Sequence, residues 1–550
     1  MLKTLHGYLA KELGRSCILA VIAMTLVMTV LAILKPMREN GLAAGQVAEL
    51  FVYTLPVILA FILPFAALFS TAIVYGRFTQ DRELMAARAS GISTIRLLYP
   101  AVIMGVLVTV ITLSLANFIA PKMANQCQKS IYSNLTQIFF YKIKKERSFH
   151  FKKTGDGLII SADHVDEKNN QLNGVVIAKK KVVKPPAGSK LPATRHNQVF
   201  VAEGLKISTH EDADTGEHML SFSATGLVGP ISDLPGGIGR AGDAGLSNIK
   251  LPFFTKHKPS FYSWNKLTAT LVDPTKHGDI NDMIVKVKRS VKANNVLRGL
   301  ERKINAGESY TGLKNTNRSF VISAKSAKLE GNRVNLIGDK NKPVKVVVTE
   351  NGKVSTYTAN AGTLACAQDR LTQKYRATLA LESYGTEQKV EHITENGSVN
   401  YKESEQWGVD IPKSKGIDAV PLLDLYRNIE NYTSDPKIVK QVKSFHGHRE
   451  QKLRRKVVAE IHWRLSYGTS CMLLVAMGAA IGVMFKGDHM LSAFAVSVVP
   501  AAIGFILMYT GKSMISNPKS NEFVGIAIIW GSLGMLFLAD LFIYAKLSRR

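Results

Sequence analysis

The stretch LPVILAFILPFAALFSTAIVYGRFTQDRELMAARASGISTIRLLYPAVIMGVLVTVITLSLANFIAP, Leu55 to Pro121, decides the fold. It holds most of one apolar run (about Leu50 to Tyr75) and all of a second (about Leu97 to Ala120). Between them lies YGRFTQDRELMAARASGIS, Tyr75 to Ser93, a short charged segment with helical character. Each apolar run is long enough to cross a hydrocarbon core, which takes roughly 20 residues of helix. Pro56 and Pro64 are expected to kink the first, and Pro121 to end the second.

Outward from this stretch the pattern repeats at both ends of the chain. Ser16 to Leu34 is an earlier span, preceded by the amphipathic LKTLHGYLAKELGR. It is too long for a cleaved signal peptide, and no small-residue cleavage site follows. About Leu465 to Phe485, Leu491 to Gly511 and Phe523 to Ala545 are three more. The fold class expected is therefore membrane α-helical, with six spans arranged three plus three around a large insert. The chain divides into 1–121 (spans 1–3), 122–455 (insert) and 456–550 (spans 4–6).

The 550 residues carry a formal net charge of +28 with 46% hydrophobic residues. Such an excess suits nucleic acid, an anionic membrane surface or an anionic lipid. Clustering of the apolar residues into spans excludes nucleic acid as the natural partner. Lysine and arginine in short loops set orientation. Lys3, Lys11 and Arg15, then Arg77, Arg82, Arg88 and Arg96, then the terminal KLSRR all fall on one side of six spans. That side is read as cytoplasmic, with both termini inside and the insert outside. QKLRRKVV, Gln451 to Val458, dissents, and it is read as touching lipid headgroups. Cys17 and Cys471 lie within spans; Cys127 and Cys366 lie in the insert, where an oxidising compartment permits a disulfide and free thiols are the reading taken.

The insert alternates apolar with polar residues from about Ser148 to Asn400, as half-buried strands do. GLIISADHVD, QVFVAEGLKIS and NRVNLIG are examples. PVKVVVTENGKVSTYTA places Asn351-Gly352 between two alternating runs, a hairpin signal repeated at Asn396-Gly397. GPISDLPGGIGRAGDAG and KPPAGSKLP read as loops. INDMIVKVKRSVKANNVLRGLERKI reads as a helix between strand groups, and Pro421 to Tyr432 as a short amphipathic helix. The strand-rich composition suits a sandwich, jelly roll or open barrel.

No enzymatic chemistry is legible. GKS at Gly511 to Ser513 lacks the first glycine of a P-loop, Ile506 standing in its place, so Lys512 is read as a snorkelling lysine at a helix end. HGHRE at His446 to Glu450 has no third ligand, and no metal site or cofactor is expected in this chain. Energised work would draw on a partner.

Three motifs in this layout resemble the permeases of lipopolysaccharide export, the LptF/LptG type. GRFTQDRELMAARASGIS resembles the family's cytoplasmic coupling helix, with its glutamate at Glu83 and a closing turn at Ser90-Gly91-Ile92. EIHWRLS carries Glu460, His462 and Arg464, similar to the E-x-H-x-R signature entering the fourth span. LKPMREN after the first span places Lys35 and Arg38 at basic positions implicated in contacting lipid phosphates. The resemblance implies a half-transporter in the bacterial inner membrane. It would pair with a second, paralogous permease over a homodimeric cytoplasmic ABC ATPase, which binds the ATP. It would extract lipopolysaccharide and pass it to periplasmic jelly-roll bridge proteins of the LptC/LptA type, through a jelly-roll-like domain enlarged relative to the family pattern.

The residues expected to meet the ATPase lie on a helix over 79–91, with Thr79 as N-cap. They are Arg77, Phe78, Asp81, Arg82, Glu83, Met85, Arg88 and Gly91, with Phe78, Met85, Ala89 and Ile92 forming an apolar stripe for a groove. At about eleven residues, roughly 16 Å, that helix is too short to enter the bilayer. An amphipathic helix lying on headgroups is its bland alternative. Lys35, Arg38, Lys122 and Lys129 are the lipid-binding candidates, with snorkelling anchors as the alternative. Glu460 and Arg464, four apart on one helix face, are expected to pair structurally. Rival classes are a mechanical ABC permease for another lipid or lipoprotein cargo, and a membrane-anchored β scaffold without transport. Six spans count against the first and the 79–91 helix against the second.

Overall fold

The computed structural model describes residues 2–549 apart from 41–43, 134, 152–157, 168, 183–193, 212–217, 231–237, 251–257, 316, 369–374, 383–389, 394–397, 403, 411–414 and 485–489. The helices are α1 (Leu2–Asn40), α2 (Ala44–Gln80), α3 (Glu83–Ala89), α4 (Thr94–Leu97), α5 (Tyr99–Ser114), α6 (Ala120–Ser133), α7 (Leu135–Glu146), α8 (Trp264–Val272) and α9 (Gly278–Asn305). They continue with α10 (Lys415–Asp418), α11 (Leu422–Arg427), α12 (Pro436–Lys443), α13 (His448–Met484), α14 (Met490–Ser516) and α15 (Glu522–Ser548). Among the described residues, six helical stretches are long and apolar enough to cross a membrane: those of α1, α2, α5 with α6, α13, α14 and α15. Two compact units result. One comprises Met1–Val201, Pro252–Gly278 and His448–Arg550; the other comprises Ala202–Leu251 and Asp279–Gly447.

In the first unit α2 and α13 pack closely, because α13 presents glycines where they cross. A Cβ on Gly478 would come 2.5 Å from Thr71 Oγ1 and 2.8 Å from the Leu68 carbonyl oxygen, and one on Gly482 2.8 Å from that of Ala72. Small residues let backbones approach where lipid supplies no hydrophobic drive between helices. Gly511 and Gly525 do the same for α14 and α15, each meeting the other's carbonyl oxygen within 2.9 Å of an ideal Cβ. The third span departs from expectation. It does not stop at Pro121: a π turn, Leu115–Ile119, joins α5 to α6, and helix continues to Ser133. The widened turn leaves room for a ring that would otherwise press on the carbonyl four residues back. Beyond α7, strands Ser148–Phe151, Leu158–Asp166 and Gln171–Val182 form an antiparallel meander. Phe139 of α7 packs on Phe149 at a ring separation of 4.7 Å.

The second unit is a β domain with α9 against it. One sheet has five strands, in the order Ser404–Val409, Tyr375–Glu382, Ala361–Gln368, Arg333–Ile337, Ser326–Glu330. A second sheet has six: Val399–Lys402, Val390–Ile393, Lys353–Ala359, Val344–Glu350, Arg318–Ser323, Tyr310–Asn315. Val344, Val346 and Val348 point into the core while Lys345 faces water, the period of two that a half-buried strand requires. Asn351 (φ 50°) and Gly352 (φ 86°) make the hairpin turn with both central residues left-handed. Leu297, Leu300 and Ile304 of α9 join that core. Asn305 exchanges hydrogen bonds with Ala327 at 2.8 and 2.9 Å, and the Leu329 N–H donates to Glu301 at 2.9 Å. The helix thereby covers an edge strand that would otherwise offer open pairing groups.

One loop reading changes. Half of GPISDLPGGIGRAGDAG is strand: Ile238–Lys250 pairs with His218–Pro230, and the ladder supplies the order that glycine-rich sequence lacks. KPPAGSKLP falls outside the described residues, as does Asn396-Gly397. Pro421 to Tyr432 forms α11 followed by a 3-10 turn at Ile429–Asn431.

Candidate functional site

At the end of the bundle that carries the termini, α2 runs through Gln80 without a break. The Thr79 hydroxyl donates back to the Tyr75 carbonyl at 2.9 Å, so Thr79 is inside α2 and caps nothing. The break comes at Arg82, whose φ of 61° is left-handed. Helix α3 then covers only Glu83–Ala89. Gly91, at φ 79°, closes it: its N–H donates to Arg88 at 2.9 Å and that of Ile92 to Ala87 at 3.2 Å.

The apolar stripe expected along this segment splits. Phe78 is 4% exposed and belongs to the buried cluster that also holds Leu13, Tyr75 and Leu97, and Ile92 packs against the same cluster. Neither reaches outward, because α1 and α4 cover that side. Leu84 and Ala87 seat α3 on the bundle. The outward face carries Asp81, Arg82, Glu83, Met85 and Arg88, all exposed, with Ala89 and Gly91 beside them. Arg77 is drawn inward into an ion pair with Glu12 of α1. The Tyr75 hydroxyl donates to the Leu97 carbonyl at 2.9 Å, tying α2 to α4.

At the opposite end, from which the insert departs, Arg464 and Glu460 pair as their spacing requires. Arg464 Nε donates to Glu460 Oε1 at 2.9 Å. Its other nitrogens donate to the carbonyls of Tyr262 at 2.9 Å and Ser260 at 2.8 Å, and Asn117 Oδ1, on the π turn, lies 3.5 Å away. A guanidinium only 5% exposed is tolerable when its fork is filled this way. His462 points elsewhere and accepts from Trp530 Nε1 at 3.1 Å.

Lys512 completes this group. Its Nζ is 2.7 Å from Glu460 Oε2 and stands 4.8 Å over the Trp463 ring. The snorkelling lysine of the sequence reading is thus half of an ion pair, and two cations share one buried carboxylate. The excess positive charge sits partly exposed on α14. Lys122 and Lys129 are exposed on α6, seven residues apart and so on one helix face. Lys35 and Arg38 belong to the last turns of α1, and their side chains lie outside the described residues.

Between the two charged ends lies an apolar cleft. Phe61, Phe65 and Phe69 recur at four-residue spacing along α2 and share one face. With Ala20, Met24, Val27 and Met28 of α1 they line a cavity of about 480 Å³ with no polar surface. The same rings meet α14, Phe69 with Phe494 at 4.8 Å and Phe61 with Phe505 at 5.7 Å. Trp463, stacked on Tyr467 at 5.4 Å and against Phe505 at 5.6 Å, carries this aromatic row up to Lys512. A chain of apolar rings leading to a cation is suited to an amphiphile with alkyl tails and an anionic head.

The sequence profile of the family described as "Lipopolysaccharide export system permease LptF/LptG" matches residues 8–222 and 265–544. No curated protein matches the chain. The matched ranges cover all or most of each candidate span, and include the α3 segment and the Glu460–Arg464 pair. The chain therefore belongs to the LptF/LptG family of lipopolysaccharide export permeases, as a multi-pass membrane protein with an inserted β domain.

Proposed function

We propose that the chain is one half of a transporter that lifts lipopolysaccharide out of the bacterial inner membrane. In this reading a second, paralogous permease faces the α1–α2–α14 cleft, and a homodimeric cytoplasmic ATPase holds the outward face of α3. The termini and α3 are cytoplasmic, and the β domain is periplasmic, where it hands the lipid to jelly-roll bridge proteins. The observation that carries this is the cleft: a wholly apolar cavity of about 480 Å³ whose Phe61 ring is linked through Phe505 and Trp463 to Lys512. Acyl chains would lie along Phe61, Phe65 and Phe69, and a phosphate would meet the cation that Glu460 only half neutralises. Closure of the cleft, driven from α3 through Tyr75 and Leu97 into α2, would press the chains toward the insert.

The test is a photoreactive phenylalanine in place of Phe65 in cells that make lipopolysaccharide. Illumination is expected to give an adduct bearing lipopolysaccharide. Adducts with phospholipid alone, or none, would overturn the reading.

A further inference from the structure

Helix α8, Trp264–Val272, has one side anchored and one side unexplained. Leu267 is fully buried against Tyr262 and Val457, and Lys266 Nζ stands 4.2 Å over the Tyr262 ring. At its far end Leu271 is 38% and Val272 81% exposed. Among the described residues, Val272 and Phe523, also 81%, are the most exposed large apolar side chains.

Both stand where the bundle's insert-bearing end meets water, a level fixed by contacts within the first unit. Arg455 donates to the carbonyls of Asn517 at 2.8 Å and Ser520 at 2.6 Å, in the turn joining α14 to α15. That turn marks one boundary of the apolar region, and it places Arg455 of the QKLRRKVV cluster in the protein rather than on lipid. Val457, two residues along α13, is the side chain on which α8 rests through Leu267. Phe523 follows the same turn at the start of α15. Leu271 and Val272 thus project near the height at which a bilayer gives way to headgroups.

The surrounding charge is positive. Lys258, Lys276, Arg454, Lys456 and Lys519 are exposed on the elements that meet here. Of the acids, Asp273 is spent capping Thr275 N–H at 2.9 Å, and Glu522 lies 3.6–3.7 Å from Arg454 and Arg455. Apolar side chains at the boundary with cations around them fit a layer of phosphate-bearing headgroups over an acyl interior.

We propose that α8 is an interfacial helix, resting on the lipid surface at the insert-bearing end, with Leu271 and Val272 sunk below the headgroups and the neighbouring cations on lipid phosphates. This uses only the chain's membrane-spanning character and is independent of the cargo that the cleft takes.

The test uses the full chain with its copurifying subunits, its native cysteines replaced, in vesicles of phosphatidylethanolamine and phosphatidylglycerol. A Val272→Cys variant, with Leu271→Cys as a second, carries an environment-sensitive fluorophore. A lipid bearing a spin label just below the headgroup is expected to quench it about twofold or more, with iodide in the water nearly without effect. Quenching by iodide and not by lipid would overturn the proposal. So would protection from both, which would mean that a protein covers α8.

Discussion

Lys512 Nζ lies 2.7 Å from Glu460 Oε2 while Arg464 Nε holds Oε1 at 2.9 Å, so one carboxylate joins α13 to α14 and anchors a guanidinium. Removing it strands two cations at once. Glu460→Ala is expected to lower stability by about 3–5 kcal/mol, the cost of breaking a buried pair from one side. Arg464→Lys keeps the charge but cannot span Glu460 and the Tyr262 and Ser260 carbonyls together, and is expected to fall between wild type and Glu460→Ala. Thermal unfolding in one detergent measures both. Equal stability of Glu460→Ala and wild type would mean that water already satisfies the group.

The split of the α3 stripe separates two kinds of damage. Phe78→Ala opens a hole in the buried cluster that holds Leu13, Tyr75 and Leu97 and should cost about 3–5 kcal/mol in stability. Glu83→Lys and Met85→Asp alter an exposed face, so each should leave the unfolding temperature within a degree or two while the ATPase no longer copurifies. Retention of the ATPase by both surface variants would remove α3 from the coupling role.

The cleft gives a steric prediction. Ala23 is exposed on α1 and lines the 480 Å³ cavity, so Ala23→Trp fills space without disturbing buried packing. Lipopolysaccharide crosslinking to position 65 should fall, with copurification of the other subunits unchanged. Undiminished crosslinking would place the lipid elsewhere.

Cys366 lies in the core of the β domain, 2% exposed, and burial pushes its thiol up to about 12. Both it and Cys127 are free thiols. At pH 8 the thiolate fraction at Cys366 is negligible, and the folded chain should leave it unlabelled by maleimide until denaturant is added. Rapid labelling in native buffer would show that the domain opens around it.

How far each feature was legible follows from where its cause lies. Spans, the Asn351-Gly352 hairpin and α9 are set by local periodicity and turn chemistry, and all were readable. The Glu460–Arg464 pair is also local, one turn apart on one helix. Lys512 reads from sequence as a snorkelling lysine because its partner sits on another span, and no spacing rule links them. Phe78 and Ile92 were assigned to the wrong side because α1 and α4, remote in sequence, decide which face of the segment is covered. Thr79 fits an N-cap by type, but the turn before it was already helical, and its hydroxyl bonded backward instead. Strand Ile238–Lys250 was hidden for a related reason: its neighbour, not its glycine-rich composition, orders it.

Glycine supplies the last prediction, because identical substitutions should act with opposite sign. At Gly478 an added methyl meets the Leu68 carbonyl oxygen at 2.8 Å, backbone that cannot swing aside, as well as Thr71 Oγ1. Gly478→Ala must therefore push α13 from α2, at a cost of about 1–3 kcal/mol by analogy with overpacked cores. At Gly531 and Gly534 of α15 an ideal Cβ meets nothing within 4 Å. Alanine there removes backbone freedom from the unfolded chain and should raise stability, by up to about 1 kcal/mol each. Unfolding temperatures of the three variants in the same detergent test this. A stabilised Gly478→Ala would mean that the α2–α13 crossing yields to an added methyl, and that closure of the cleft need not move α13 when α2 moves.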